Sequence, residues 1–144
     1  MTAFEHAAPS DFGGRPFVVD INRATLHNHT FRTALWTGEH LQLTLMCILP
    51  GDDIGLEAHE GTDQFLRIEA GQGVVQMGEG PNSLYFAQPV FEDFAVFVPA
   101  GTWHNIVNTG SEPMLIYSIY APPAHTFGTV HATKEIAEAE ENHH

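Results

Sequence analysis

Two clusters of residues in this 144-residue chain contain the side-chain types that bind transition metals in proteins. In the first cluster, Glu57 and His59 are separated by one residue, and Gln64 follows a turn at residues 60–62. Side chains two positions apart on an extended strand leave from the same face, so Glu57 and His59 point the same way. In the second cluster, His104 enters a strand directly after a Pro-Ala-Gly turn. The sequence therefore predicts one site that draws on both clusters.

The chemistry of these side chains points to a metal. Two imidazoles and one carboxylate form a ligand set that non-haem Fe(II) accepts, with coordination positions left open for substrate or oxygen. We predict that Glu57, His59, Gln64 and His104 hold one divalent transition metal per chain, with Gln64 as a neutral fourth donor. Fe, Mn, Ni, Co and Zn all stay open, because ligand type leaves the choice to geometry and availability. Glu57 is also the predicted catalytic residue, acting as a base.

Short strands must position these residues. Between residues 17 and 120, candidate strands alternate with breaks rich in Gly, Pro, Asn and Asp, and almost no helical periodicity lies between them. Many short strands at regular spacing are typical of an all-β sandwich or barrel. The predicted strands are 17–21, 31–36, 41–49, 56–59, 64–70, 73–77, 84–87, 95–98, 102–108 and 114–120.

Composition divides the chain into three segments. Residues 1–16 are predicted to be an irregular N-terminal arm, residues 17–121 a small β-barrel, and residues 122–144 a C-terminal loop with a short helix. Ala, Glu and Ile recur without a helix breaker over residues 134–141. The acidic residues of that segment lie towards its C-terminus, where the helix dipole disfavours them. We therefore expect the helix to fray unless it docks on a partner chain.

Charge and composition exclude several classes of function. Five Lys and Arg residues against eighteen Asp and Glu residues give a formal net charge of −13. Nucleic acid and anionic membrane surfaces are therefore not expected as partners. No stretch approaches the roughly twenty apolar residues of a membrane span, and no signal peptide is predicted, so we expect a cytoplasmic protein. Cys47, the one cysteine, excludes an internal disulfide and is predicted to be a small buried hydrophobe.

The two clusters resemble the two sequence motifs of the cupin superfamily over about residues 40–120. The residues in register with the first motif are Gly51, Glu57, His59, Gln64 and Gly71, and those in register with the second are Asp93, Pro99, Gly101, His104 and Asn108. The resemblance is greatest to small single-domain bacterial cupins, which are often described as sugar-phosphate-isomerase-like. It implies a double-stranded β-helix, or jelly roll, with a divalent metal inside the barrel, assembled as a homodimer.

Three positions depart from the usual cupin motifs. Glu57 stands where the first His is usual, Gln64 where Glu is usual, and Asp93 where Gly is usual. The one carboxylate of the usual ligand set is therefore at position 57 instead of position 64. The four ligands together keep a formal charge of −1. These departures affect the inferred reaction and leave the inferred fold unchanged.

The sequence leaves the reaction open between three possibilities. We expect a metal-dependent enzyme that acts on a small oxygen-rich organic substrate, with dioxygenase-type chemistry favoured. The alternatives are a redox-neutral isomerase or lyase acting on a sugar or uronate, and a non-catalytic module that binds a small molecule or a metal. Arg67, the one Lys or Arg residue of the motif region, is predicted to point away from the metal, which argues against a phosphorylated sugar. His125 and His131 in the tail are predicted to be solvated or structural, with a lid over the site as the alternative.

Overall fold

A computed structural model describes residues 11–141 of the chain, so the first ten residues of the predicted arm lie outside the described residues. Within the described range the order of elements is one helix, nine strands and a second helix. The helices are α1 (Ile21–Leu26) and α2 (Lys134–Glu141), and the strands are β1 (Arg32–Thr37), β2 (Gln42–Ile48), β3 (Asp63–Ala70), β4 (Gly73–Gly78), β5 (Phe86–Val90), β6 (Ala95–Val98), β7 (Trp103–Asn108), β8 (Met114–Ala121) and β9 (Val130–His131). Neither helix of this range is long and apolar enough to cross a membrane.

The strands form two antiparallel sheets that enclose the core. One sheet has six strands in the order β6-β3-β8-β2-β1-β9, and the other has three in the order β5-β4-β7. Alternate residues of β8 face the interior, at the buried positions Met114, Ile116, Ser118 and Tyr120. The predicted all-β barrel with a short C-terminal helix is confirmed.

The strand predicted at residues 84–87 is found as β5 at Phe86–Val90, and three regions differ from the prediction in the type of element. Residues 17–20 form no strand, because Asp20 caps α1 and its side chain accepts a hydrogen bond from the Arg23 amide at 3.1 Å. Residues 56–59 are irregular apart from one bridge between Glu57 and His104. Strand β9 lies in a segment that was predicted to be a loop, and it pairs with β1. These elements depend on capping or long-range pairing, which alternation of apolar residues does not report.

Asp93 stands where the second motif usually has a glycine, and its backbone has a conformation that glycine commonly adopts. Its φ is 76°, in the left-handed region that Asp tolerates better than most residues. Its carboxylate forms an ion pair with Arg67 at 2.9 Å, and Arg67 forms a second with Glu69 at the same distance. Both carboxylates therefore neutralise Arg67 on the outer side of β3. The side chain points away from the barrel interior, as predicted.

Helix α2 packs on its own barrel. The ammonium group of Lys134 lies 3.1 Å from a carboxylate oxygen of Asp52 and also contacts Asp53. Ala137 is buried, and Glu140 accepts a hydrogen bond from His131 at 2.8 Å. The helix thus finds its docking surface on its own chain, where the sequence predicted a frayed segment or a contact with a partner chain.

The interior of the barrel has two chemically different ends, and strands β3, β7 and β8 contribute to both. We call one the apolar end, formed by Ile48, Ile68, Ile106, Met114 and Ile116. We call the other the polar end, formed by Glu57, His59, Gln64, His104 and Tyr120. Strand β7 therefore begins at the polar end with His104 and reaches the apolar end with Ile106.

Candidate metal centre

Backbone hydrogen bonds hold the two sequence clusters together. The amide of Glu57 donates to the carbonyl of His104 at 3.1 Å, and the amide of His104 donates back to the carbonyl of Glu57 at 2.9 Å. The amide of Gly101 donates to the carbonyl of His59 at 2.9 Å. Gly101 has a φ of 82°, a left-handed conformation that glycine adopts without steric cost. The turn before β7 therefore fixes both His59 and His104.

The side chains of Glu57, His59 and His104 converge on one point. Each offers a ligand atom, and these atoms all lie within 4.8 Å of one another. A carboxylate oxygen of Glu57 lies 3.3 Å from Nε2 of His59 and 3.7 Å from Nε2 of His104. His104 is 1% exposed, and the side chains of the other two residues are each 19% exposed. The structure thus brings together three of the four predicted ligands in a mostly buried position.

The imidazole of His104 is oriented by its second nitrogen. Its Nδ1 lies 3.0 Å from the carbonyl oxygen of Thr102 and donates a hydrogen bond to it. With Nδ1 engaged in that bond, Nε2 is the ring nitrogen that faces Glu57 and His59, an orientation that is usual for a histidine that binds a metal. Within residues 11–141, the Nε2 atoms of His59 and His104 are both buried and have no hydrogen-bond partner.

Gln64 is at the polar end, on β3 and opposite Tyr120 of β8. Its amide nitrogen donates a hydrogen bond to the hydroxyl of Ser118 at 2.8 Å. The amide oxygen is buried and lacks a hydrogen-bond partner in the described part of the chain. Because the nitrogen is already engaged, the oxygen is the atom of Gln64 that is available as a donor to a metal. Its role as the fourth ligand stays a prediction.

The charge of Glu57 is stabilised by its neighbours. Burial by itself would raise the pKa of the Glu57 carboxyl. The imidazoles of His104 and His59 and the positive charge of Arg32 outweigh burial and hold that pKa well below its usual range. The group is therefore a carboxylate at neutral pH, which is the form that binds a cation.

Tyr120 and His125 also belong to this end of the barrel, although His125 was predicted only as a solvated or structural residue of the tail or as part of a lid. The ring of Tyr120 lies 5.5 Å from the ring of His59 and 5.1 Å from that of His125, measured between centroids. Among residues 11–141, the Tyr120 hydroxyl and the Nε2 of His125 are buried without a hydrogen-bond partner. Burial, followed by the nearby charge of Arg32, lowers the pKa of His125 to about 3, so its imidazole is neutral.

The side chain of Gln42 fastens the segment that carries His125. Its amide oxygen accepts hydrogen bonds from the amides of Ala124 and His125 at 3.1 and 3.0 Å, and its amide nitrogen donates to the His125 carbonyl at 2.9 Å. Gln42 is fully buried at the polar end of β2. Parity along β8 could have indicated that Tyr120 faces inward with Ser118. Nothing local to His125 indicates its position, since its contacts are with residues far away in the sequence.

The residues present fit a divalent transition metal. Two imidazole nitrogens, a carboxylate and an amide oxygen are donors that such ions accept. Buried polar atoms in folded proteins normally have a partner, and the polar end leaves several of them unsatisfied within the described residues. A cation at the point where Glu57, His59 and His104 converge would satisfy the two Nε2 atoms together.

Comparison with known proteins identifies the family of these residues. A family model described as a cupin domain matches residues 44–120. The protein YrkC of Bacillus subtilis (strain 168) is 61% identical over 132 residues, which are 92% of this chain and 71% of YrkC. Protein L612 of Acanthamoeba polyphaga mimivirus is 35% identical over 115 residues, 79% of this chain and 70% of L612.

A solved structure extends the similarity to three dimensions. The crystal structure of BH2720 from Bacillus halodurans superposes with a TM-score of 0.89 and is 59% identical, covering 90% of this chain and 98% of that one. Similarity over so much of both chains demonstrates a common fold. The reaction has to be inferred from the site itself.

Proposed function

Because this chain belongs to the cupin family, we propose that it is a metalloenzyme acting on a small, oxygen-rich organic substrate. One divalent transition metal per chain would be held by Glu57, His59, Gln64 and His104. The observation that carries this proposal is the pair of buried, unpartnered Nε2 atoms of His59 and His104 beside the ionised carboxylate of Glu57. An unsatisfied buried polar group costs about 1–3 kcal/mol, so their grouping favours a site built for a cation.

Dioxygenase-type chemistry is the favoured reaction class. A ligand set of two histidines and one carboxylate leaves coordination positions open, so that the bound metal would supply Lewis acidity and a place for substrate oxygens and dioxygen. Glu57 is ionised and 19% exposed, and in this proposal it accepts a proton from the substrate. The hydroxyl of Tyr120 and the neutral imidazole of His125 are available to hydrogen-bond substrate oxygens at the same end.

A redox-neutral isomerase or lyase is the second candidate. The observation that favours it is the presence of two proton acceptors, Glu57 and the neutral His125, around the ring of His59. Moving a proton between two carbons of a sugar or uronate needs such groups within reach of the substrate. A non-catalytic binding module would use the same site without this proton transfer.

Metal content is the first test of the proposal. Elemental mass spectrometry on reconstituted protein should give about one divalent ion per chain, and the variant His59→Ala/His104→Ala should give almost none. His40→Ala is the matched control, because the His40 side chain is 84% exposed. All proteins should carry His143→Ala/His144→Ala, since adjacent histidines at a chain end bind metal adventitiously. Little metal in the unsubstituted site after reconstitution, or equal metal in the double variant, would contradict the metalloenzyme.

Oxygen consumption separates the two reaction classes. Iron-loaded protein should consume dioxygen with at least one member of a panel of catechols, diketones and keto acids, and the double variant should not. Consumption dependent on His59 and His104 counts against the isomerase or lyase. No consumption across the panel, together with turnover of a sugar or uronate, would favour the redox-neutral reaction.

We also propose that the chain forms a homodimer through aromatic residues on the outer face of the six-stranded sheet. Phe97 on the edge strand β6 is 68% exposed, and its ring lies 5.1 Å from that of Phe65, which is 6.2 Å from Tyr117. Light scattering after size-exclusion chromatography should give twice the mass of one chain. Phe97→Ser should shift the protein towards monomer, whereas Phe127→Ser, at a residue of similar exposure, should not. A monomeric unsubstituted protein would overturn this proposal.

A further inference from the structure

Arg32 is a buried cation whose direct contacts carry no negative charge. This residue of β1 is 1% exposed, and its Nη1 lies 3.1 Å from Nδ1 of His131. Its guanidinium carbon lies 5.1 Å from the centroid of the Phe31 ring. Its Nε has no hydrogen-bond partner in the described part of the chain, and no carboxylate of residues 11–141 forms an ion pair with it.

The contact with His131 holds the guanidinium in place without neutralising it. Arginine has no acceptor atom, so Nδ1 of His131 accepts the hydrogen bond from Arg32. The other ring nitrogen of His131 therefore carries the proton and donates to Glu140 of α2 at 2.8 Å. The carboxylate of Glu140 thus bonds to the imidazole and leaves the guanidinium itself without an anion.

Arg32 and Glu57 line the same cavity. Its volume is about 170 Å³, and it lies between β1, the irregular segment before β3, and α2. A cavity of about 150 Å³ is large enough for benzene, so this one admits a molecule of similar size. Arg32 also acts electrostatically on Glu57 and His125 of the polar end. Glu57 is therefore the residue of the candidate metal centre that this cavity shares with the buried guanidinium.

The charged residues that α2 contributes to the cavity do not form an ion pair with Arg32. Lys134 is paired with Asp52 and Asp53. The side chain of Glu138 is 57% exposed and lies 3.9 Å from the Lys134 ammonium, and Glu141 is exposed at the end of α2. Glu57 acts on Arg32 only at longer range, since no salt bridge joins them. A buried guanidinium without a direct ion pair is costly, and its planar array of donors matches a carboxylate or a phosphate.

We propose that Arg32 is the subsite for the anionic group of the substrate, and that this group is a carboxylate. This proposal rests on the proposed function, and it narrows the substrate to small acids that carry a second oxygen near the carboxylate, such as 2-oxo or 2-hydroxy acids. The carboxylate pairs with Arg32 while the second oxygen faces Glu57, His59 and His104. The size of the cavity favours such an acid over a hexose phosphate, which has more than twice as many non-hydrogen atoms as pyruvate.

Calorimetric titration with matched ligands tests the subsite. The metal-loaded protein is titrated with pyruvate, with its uncharged analogue pyruvamide, and with inorganic phosphate. Pyruvate should bind at least about tenfold more tightly than pyruvamide, because a desolvated charged pair exceeds a neutral hydrogen bond by about that factor. Phosphate should bind more weakly than pyruvate. Arg32→Gln should abolish the preference with unchanged metal content, whereas Arg67→Gln, which removes an arginine from the outer face, should preserve it.

The controls separate failure of the subsite from failure of the metal centre. If Arg32→Gln does not fold, Arg32→Lys serves as the second variant and should reduce the preference, since lysine keeps the charge and loses the planar donors. Equal binding of pyruvate and pyruvamide by the unsubstituted protein, tighter binding of phosphate, or a preference that survives both Arg32 variants would overturn the proposal. The titrations are repeated on metal-free protein, where a preference that depends on Arg32 supports the subsite even if the metal content contradicts the proposed function.

Discussion

The apolar end and the polar end of the barrel are built by the same strands and differ in how completely their buried groups are satisfied. At the apolar end, Ile68, Met114 and Ile116 are fully buried and form one continuous hydrophobic cluster. At the polar end and beside it lie seven of the eight buried side-chain nitrogen and oxygen atoms that have no hydrogen-bond partner within residues 11–141. These seven belong to Arg32, Thr44, His59, Gln64, His104, Tyr120 and His125.

This difference indicates a division of labour along each strand. Burying apolar surface stabilises a fold by about 25 cal/mol per Å², whereas a buried polar group without a partner opposes folding. The apolar end therefore stabilises the barrel, and the polar end uses part of that stability to keep ligand-type atoms available. Strand β8 contributes to both, with Ile116 at one end and Tyr120 at the other.

Truncation at the apolar end should have the largest effect on stability. Ile116→Ala removes a fully buried side chain, and large-to-small changes of this kind cost about 2–5 kcal/mol of the free energy of unfolding. Urea unfolding measures this loss. The folded variant should retain the metal content of the unsubstituted protein. Ile119→Ala, on the same strand and only partly buried, should cost less than half as much. An equal cost would contradict the assignment of the stabilising core to the apolar end.

Metal should stabilise the protein through the polar end alone. A free metal concentration one hundred times the dissociation constant should raise the free energy of unfolding by about 2.7 kcal/mol. The increment should disappear in His104→Ala and persist in Ile116→Ala, because the two ends are independent. Thermal unfolding with and without a chelator measures both. An increment that survives in His104→Ala would place the metal elsewhere.

Gln64→Leu should weaken metal binding at the polar end. The substitution removes an amide oxygen without a described partner, but it also removes the hydrogen bond from the Gln64 amide nitrogen to the buried Ser118 hydroxyl. The free energy of unfolding of metal-free protein should therefore fall by about 1–3 kcal/mol. Metal affinity should fall by about tenfold, or about 1.4 kcal/mol, as measured by competition with a chromogenic chelator. Gln88→Leu, at an exposed position of β5, should leave affinity unchanged. Unchanged affinity in Gln64→Leu would remove Gln64 from the ligand set.

Breaking the ion pair between Lys134 of α2 and Asp53 should have the smallest effect on the free energy of unfolding, and that effect should depend on pH. Burial by itself would raise the pKa of Asp53, but hydrogen bonds from Asn105 and Lys134 and the Lys134 charge hold it below its usual range. A carboxyl with a lowered pKa in the folded state stabilises the fold above its unfolded pKa of about 3.9, and this contribution is lost as the pH falls through the folded value.

Lys134→Met should therefore lower the free energy of unfolding by about 1 kcal/mol at pH 7 and by less in acid, where Asp53 is protonated. Urea unfolding at neutral and acidic pH measures the difference. Lys134→Arg keeps the charge and should retain most of the stability. A loss of equal size at both pH values would mean that packing of the methylene groups, and not the ion pair, attaches the helix.

Local patterns predicted much of the fold. The strand at residues 95–98 is found with the predicted bounds, and the helix at residues 134–141 is confirmed as α2. Both depend on neighbours in the sequence, namely alternation of apolar residues between turn signals and a run without breakers. Residues 17–20 form no strand because one capping side chain, Asp20, starts a helix at the next residue. Apolar residues there resembled a strand, and capping outweighed that pattern.

The sequence by itself determined the local part of the site, and the tertiary structure decided what surrounds it. Glu57 and His59 are two residues apart, and the turn that ends at Gly101 places His104 at the start of β7, so local patterns were sufficient to select these residues. The long-range bridge between Glu57 and His104 is what brings their side chains together. Gln64 and Tyr120 are opposite each other only because β3 pairs with β8. Arg32 receives its neutral partner His131 from β9, ninety-nine positions along the chain. Register and docking of this kind result from the packing of the whole core, and no short segment of the chain carries that information.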